Sequence, residues 1–113
     1  PAVKSVEFGL GEEFSESLGS ESNDSLYFED QVVKTRTNNS GGINGGITNG
    51  NDITLAVTFR PTPSISKEQD SVDLVNKTNV KIQIQGRHDS CIVPRAVPVV
   101  ESAVAIALLD EIL

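Results

Sequence analysis

The sequence has no methionine or tryptophan, one cysteine, one histidine and 4% aromatic residues. Each shortage closes a possibility. Cys91 alone cannot form an internal disulfide, so a disulfide-stapled scaffold is excluded and a reducing, cytoplasmic setting is the default expectation. One histidine and one cysteine do not make a structural zinc site, and no metal site is expected. Basic residues are also scarce, with 9 Lys and Arg against 16 Asp and Glu. A nucleic-acid ligand needs clustered cations, so none is expected. Long apolar runs are missing too. The most apolar stretch, Ala96–Leu109, is interrupted by Pro98 and Glu101 and followed by Asp110 and Glu111. It is too short and too charged to span a bilayer. No charged-then-apolar leader opens the chain. The start at Pro1 fits removal of an initiator methionine, and fits an internal fragment of a longer protein equally well.

What is present is a lean globular composition, 37% apolar over 113 residues. That length fits one domain, residues 1–113, burying roughly two-thirds of the surface of the unfolded chain. The net charge of -7 is uneven. Residues 1–30 hold eight acids and one base, whereas residues 31–113 hold eight of each. The imbalance therefore belongs to the first quarter of the chain.

Val3, Val6 and Phe8 suggest a strand, although their spacing breaks strict alternation. Glu12–Leu18 reads as a short helix with acids in its first turn. Gly19–Ser25 reads as a polar loop, and Leu26–Phe28 and Val32–Thr37 as strands. Thr37–Asn51 holds five of the nine glycines and two Asn-Gly pairs, so it is a loop. Ile53–Phe59 is the cleanest strand, with Ile53, Leu55, Val57 and Phe59 on one face. Arg60-Pro61-Thr62-Pro63-Ser64 ends it. Val72–Val75 and Val80–Ile84 are weaker strands. Pro94–Leu113 reads as a helix apolar around its axis, with Pro98 tolerated in its first turn. The fold class is α+β, an antiparallel sheet with helices on one face.

Three loops follow strands: Asn38–Asn51, Arg60–Ser64 and Gly86–Arg95. Loops on a rigid sheet are where sites usually lie. The first offers backbone N–H groups that a ligand can approach closely. The second offers Arg60, Thr62 and Ser64. The third offers Arg87, Asp89 and Arg95, a fixed cation beside a carboxylate. Each has a plainer reading as a flexible connection, a strand-ending turn or a solvated ion pair worth about 0–1 kcal/mol. The glycine loop matches no phosphate fingerprint: no Lys lies between Lys34 and Lys67, and no G-x-G-x-x-G occurs.

Together the segments become specific. TNNSGGINGGITNG, FRPTPSI and GRHDSCIVPRAVPVVE, in this order, with PAVKSVEFG and GSESND ahead of them, resemble the C-terminal part of chorismate synthases. The resemblance runs from Pro1 to Leu113. It implies a 1,4-anti elimination of phosphate from 5-enolpyruvylshikimate 3-phosphate to give chorismate, with reduced FMN required although no net redox change occurs. It also implies the C-terminal part of a β-α-β sandwich, in a protein that self-associates as a homotetramer.

Residue by residue, the resemblance makes Gly45 a flavin-contacting backbone position. Arg60, Pro61, Thr62, Pro63 and Ser64 match a flavin-contacting segment usually written with Lys first; a guanidinium fork is not equivalent to that point charge. Arg87 matches an FMN-binding arginine. Asp89 matches a catalytic aspartate that assists proton transfer. His88 aligns with a position where the family also accepts Ser, so no catalysis is assigned to it. Members of the family are more than twice as long, and the matching region leaves out their catalytic histidines. The isolated chain is therefore expected to be inactive or nearly so. A non-catalytic flavin-binding or assembly module is the second reading.

Overall fold

The computed structural model describes all residues, Pro1–Leu113, as two compact units, Pro1–Arg60 and Pro61–Leu113. Short antiparallel sheets and a C-terminal helix make the class α+β. The strands pair as four two-stranded sheets.

In the first unit, β1 (Val3–Phe8) pairs antiparallel with β6 (Leu55–Phe59). The register sets Phe8 opposite Leu55, Val6 opposite Val57 and Val3 opposite Phe59. A bulge between Val3 and Ser5 explains the broken alternation. It absorbs one extra residue, so that all three apolar residues of β1 join the apolar face of β6. The ladder continues past both ends, where Arg60 N–H donates to Ala2 C=O at 2.8 Å and Gly9 N–H to Thr54 C=O at 3.1 Å.

A 3-10 helix, Gly11–Glu16, stands in place of the short helix expected over Glu12–Leu18. The single turn α1 (Gly19–Ser22) replaces the expected loop. Ser22 Oγ donates back to Leu18 C=O at 3.0 Å, an anchor too local to read from composition. The hairpin β2 (Leu26–Glu29) to β3 (Val32–Thr35) turns through Asp30 and Gln31, both at positive φ (49° and 66°). A two-residue turn of this hand matches the twist of the strands it joins. Within the glycine loop lies a miniature hairpin, β4 (Ile43–Asn44) and β5 (Ile47–Thr48), closed by Gly45 and Gly46.

In the second unit, β7 (Gln69–Asp73) pairs with β8 (Thr78–Ile82). Their connection is fixed by Asp73, whose carboxylate accepts from Val75 N–H at 2.8 Å and Asn76 N–H at 3.1 Å. These bonds, from Asn76 first and then Val75, hold the Asp73 carboxyl below its ordinary value. The helix α2 (Val93–Ile112) has 20 residues. It begins at Val93, so Pro98 lies beyond the first turn and removes an interior hydrogen bond.

The expected core is absent. No apolar side chain is buried, and the chain exposes 9455 Å². A folded monomer of 12.1 kDa exposes about 6,000 Å². Just under half of the unfolded surface is removed from water, not the expected two-thirds. The helix shows the shortfall most plainly. Its apolar circumference calls for cover, yet Val97, Val99, Ile106 and Leu109 are exposed. Only Ala96, Val100 and Val104 are half-buried, continuing a stripe at four-residue spacing from Ile92 just ahead of the helix. No helix is long and apolar enough to cross a membrane.

Candidate functional site

The three residues that are buried, Ser22, Gly41 and Gly42, all lie at one polar junction in the first unit. Here the glycine loop crosses the end of β1. Gly41 N–H donates to Asn38 C=O at 3.1 Å, Thr54 N–H to Gly41 C=O at 3.2 Å and Leu10 N–H to Asn39 C=O at 2.9 Å. The backbones touch. A Cβ on Gly9 would overlap the Asn39 carbonyl oxygen, and one on Gly41 would overlap Gly9 N. Both residues also have positive φ. Only glycine satisfies the crossing and the dihedral together.

Side chains complete the junction. Asn38 Nδ2 donates to Asp52 C=O at 2.8 Å, while its Oδ1 accepts Gly42 N–H at 2.8 Å, so one amide ties both stems of the loop. Asn39 Nδ2 reaches Ser22 C=O at 3.1 Å. Asp24 accepts from Thr37 Oγ1 and Asn39 N–H, each at 2.7 Å, and from Ser40 N–H at 3.0 Å. Partial burial alone would raise its pKa. The bonds from Thr37, Ser40 and Asn39 outweigh that and hold the carboxyl below its ordinary value.

Beyond the junction the loop opens. Gly45 and Gly46 have positive φ (57° and 80°), and a Cβ on either would meet nothing within 4 Å. Gly45 thus sits at an open turn with room beside its backbone. Arg60 ends β6 in the same unit, its N–H held by Ala2 C=O at 2.8 Å.

The second unit brings the other predicted residues together. Arg87, Asp89 and Arg95 line one cavity of about 440 Å³, along with His88 and Ser90. Two cations and one carboxylate lining the same cavity suit a polyanionic ligand beside a proton acceptor. Of the segment Pro61–Ser64, Thr62 and Ser64 are half-buried. Ser64 Oγ lies 3.2 Å from His88 Nδ1, which joins the Arg60–Ser64 and Gly86–Arg95 loops. The other ring nitrogen, Nε2, is shielded and has no partner. Gln83 Nε2, donating to Ser66 C=O at 2.9 Å, ties the same segment to the end of β8. Cys91 is exposed.

Sequence reasoning missed Asp24, Asn38 and the Ser64–His88 contact. The signal for Asp24 was its place in GSESND, ahead of a glycine loop. Its three backbone and side-chain donors lie 13 to 16 residues away, beyond any local pattern.

The family model described as chorismate synthase matches residues 1–113. The chain belongs to the chorismate synthase family. It is 54% identical over 110 residues to the chorismate synthase of Archaeoglobus fulgidus, covering 97% of this chain and 31% of that protein. It is 52% identical over 113 residues to that of Thermococcus gammatolerans, covering all of this chain and 32% of that one. A crystal structure of chorismate synthase superposes with a TM-score of 0.50 at 39% identity, over 53% of this chain and 18% of its own. The chain thus spans about a third of the chorismate synthases that it matches.

Proposed function

We propose that residues 1–113 supply flavin-contacting loops and the proton-transfer aspartate of a chorismate synthase. The reaction is the 1,4-anti elimination of phosphate from 5-enolpyruvylshikimate 3-phosphate, in aromatic amino acid biosynthesis. One ring C–H bond and the C–O bond to phosphate break, a ring double bond forms, and no electrons are gained or lost overall. The observation that carries this reading is the gathering of Arg87, Asp89 and Arg95 around one cavity of about 440 Å³.

The residues present fit FMN and a phosphorylated substrate. The Gly45–Gly46 turn has open space beside its backbone, as a flat ring contact requires. Arg87 and Arg95 offer fixed positive charge to phosphate oxygens, in forks that bind two oxygens at once. Arg60 and the segment Pro61–Ser64 add a cation, two hydroxyls and a stiff backbone. Reduced FMN, when bound, supplies the transient electron that helps phosphate depart. Asp89 assists removal of the ring proton, and the arginines stabilise charge that builds on the leaving group.

Under this reading, the four short sheets and α2 are parts of the larger β-α-β sandwich. The apolar face of β1 and β6 and the circumference of α2 are covered in the assembled, cytoplasmic homotetramer. The exposed surface of 9455 Å² supports that expectation.

Two measurements test the proposal. Replacing the matching third of the Archaeoglobus fulgidus enzyme by this chain should preserve chorismate formation with reduced FMN, and Arg87→Ala in that chimera should weaken FMN binding. Residues 1–113 alone should give no measurable turnover. A chimera that folds and binds substrate, but whose turnover and flavin affinity ignore Arg87→Ala, would refute it.

A further inference from the structure

We propose that Asp24 is a positioning residue of the glycine loop. Its carboxylate fills the loop's own anion nest and thereby directs ligand contact to the Gly45–Gly46 turn. The inference rests on the reading of Gly45 as a flavin contact.

Consecutive backbone N–H groups converging with a hydroxyl are a general device for gripping phosphate or carboxylate ligands. The stem of this loop has that device: Asn39 N–H, Ser40 N–H and Thr37 Oγ1 converge within 2.7–3.0 Å of one carboxylate. The carboxylate is internal. An external anion is therefore excluded from the stem by occupancy and by like charge. At the hairpin tip, by contrast, no carboxylate is bound and Gly45 and Gly46 stand in open space.

The same bonds orient that tip. Asp24 holds Asn39 and Ser40, and the next two residues, Gly41 and Gly42, are buried. Gly42 N–H is fixed by Asn38 Oδ1 at 2.8 Å, and Gly42 C=O accepts Asn49 N–H at 3.0 Å, across the base of β4 and β5. Little apolar packing competes with this chain of contacts, since no apolar side chain is buried. The polar junction sets the hairpin's direction.

The test uses the 113-residue chain, titrated with oxidised FMN by flavin fluorescence, alongside residue-resolved amide exchange. Asp24→Ala should weaken FMN binding roughly tenfold, the equivalent of one hydrogen bond to a charged group. It should also speed exchange at Asn39 and Ser40 by a similar factor, and leave β7 and β8 unchanged. Asp24→Asn, which keeps one acceptor oxygen, should recover part of both losses. Added formate should restore FMN affinity to Asp24→Ala by re-entering the nest, which a merely space-filling role would not allow. Unchanged FMN affinity in Asp24→Ala, or unchanged exchange at Asn39 and Ser40, overturns the proposal. If the unmodified chain does not bind FMN, the flavin reading of Gly45 falls. The exchange rates at Asn39 and Ser40 still decide whether Asp24 holds the loop.

Discussion

The glycine junction and α2 are opposites. The junction is built from Gly, Asn, Ser, Thr and Asp, yet it holds the only buried residues of the chain. The helix is rich in Val, Ile, Leu and Ala, yet most of its apolar side chains are exposed and none is buried. A polar junction is stabilised by partners supplied from its own unit, Pro1–Arg60, and directional bonds specify it locally. An apolar helix is stabilised by non-directional burial, which this stretch of chain does not supply.

The sharpest way to break this contrast is to put a methyl group into the junction. Gly9→Ala should cost about 4 kcal/mol, since strain at positive φ adds to a backbone clash. Gly45→Ala, at similar φ but in open space, should cost only about 1 kcal/mol. Amide exchange at Thr54 for the first and Asn49 for the second would read both. Equal costs would show that the crossing at Gly9 is not close-packed.

The second test is acid. The folded pKa of Asp24 lies below its ordinary value of 3.8. Its contribution is therefore whole above pH 3.8 and is lost as pH falls through the lowered folded value. Hydrogen bonds to a charged group are worth about 1.5–3 kcal/mol each, with the low end apt for this part-exposed site. The amides of Asn39 and Ser40 should lose protection in that window, and Asp24→Asn should abolish the acid step there. Asp73 has a lowered pKa as well, but its bonds protect Val75 and Asn76 instead, so the two sites separate by residue.

The smallest effect on stability should come from the helix. Ile106 is 70% exposed, so Ile106→Lys should change stability by no more than about 0.5 kcal/mol. Light scattering at rising concentration should nonetheless show less self-association than the unmodified chain. A large loss of stability would mean that Ile106 is packed after all.

Much of this was legible in the residues. Alternation located β6, two prolines ended it, and glycine density located the loop that carries Gly45. Motif order located Arg87 and Asp89, which line one cavity with Arg95. The bulge at Val3–Ser5 was legible only as broken spacing, because pairing register is a property of two strands. Asp24 was counted as one of eight acids in a charged first quarter. Its role depends on donors that chain folding brings to it from beyond Leu26–Thr35. The missing core was illegible for a different reason: composition reports how much apolar surface exists, and not whether anything covers it.

Whether the polar junction is the most stable part of the molecule is tested most directly by residue-resolved hydrogen exchange on the 113-residue chain at neutral pH. The amides of Gly9, Asn39, Ser40, Gly41, Gly42 and Thr54 should be the slowest to exchange, while those of Val99–Ile112 exchange faster. Slowest exchange in the helix, with the junction at the rate of an unstructured peptide, would contradict it.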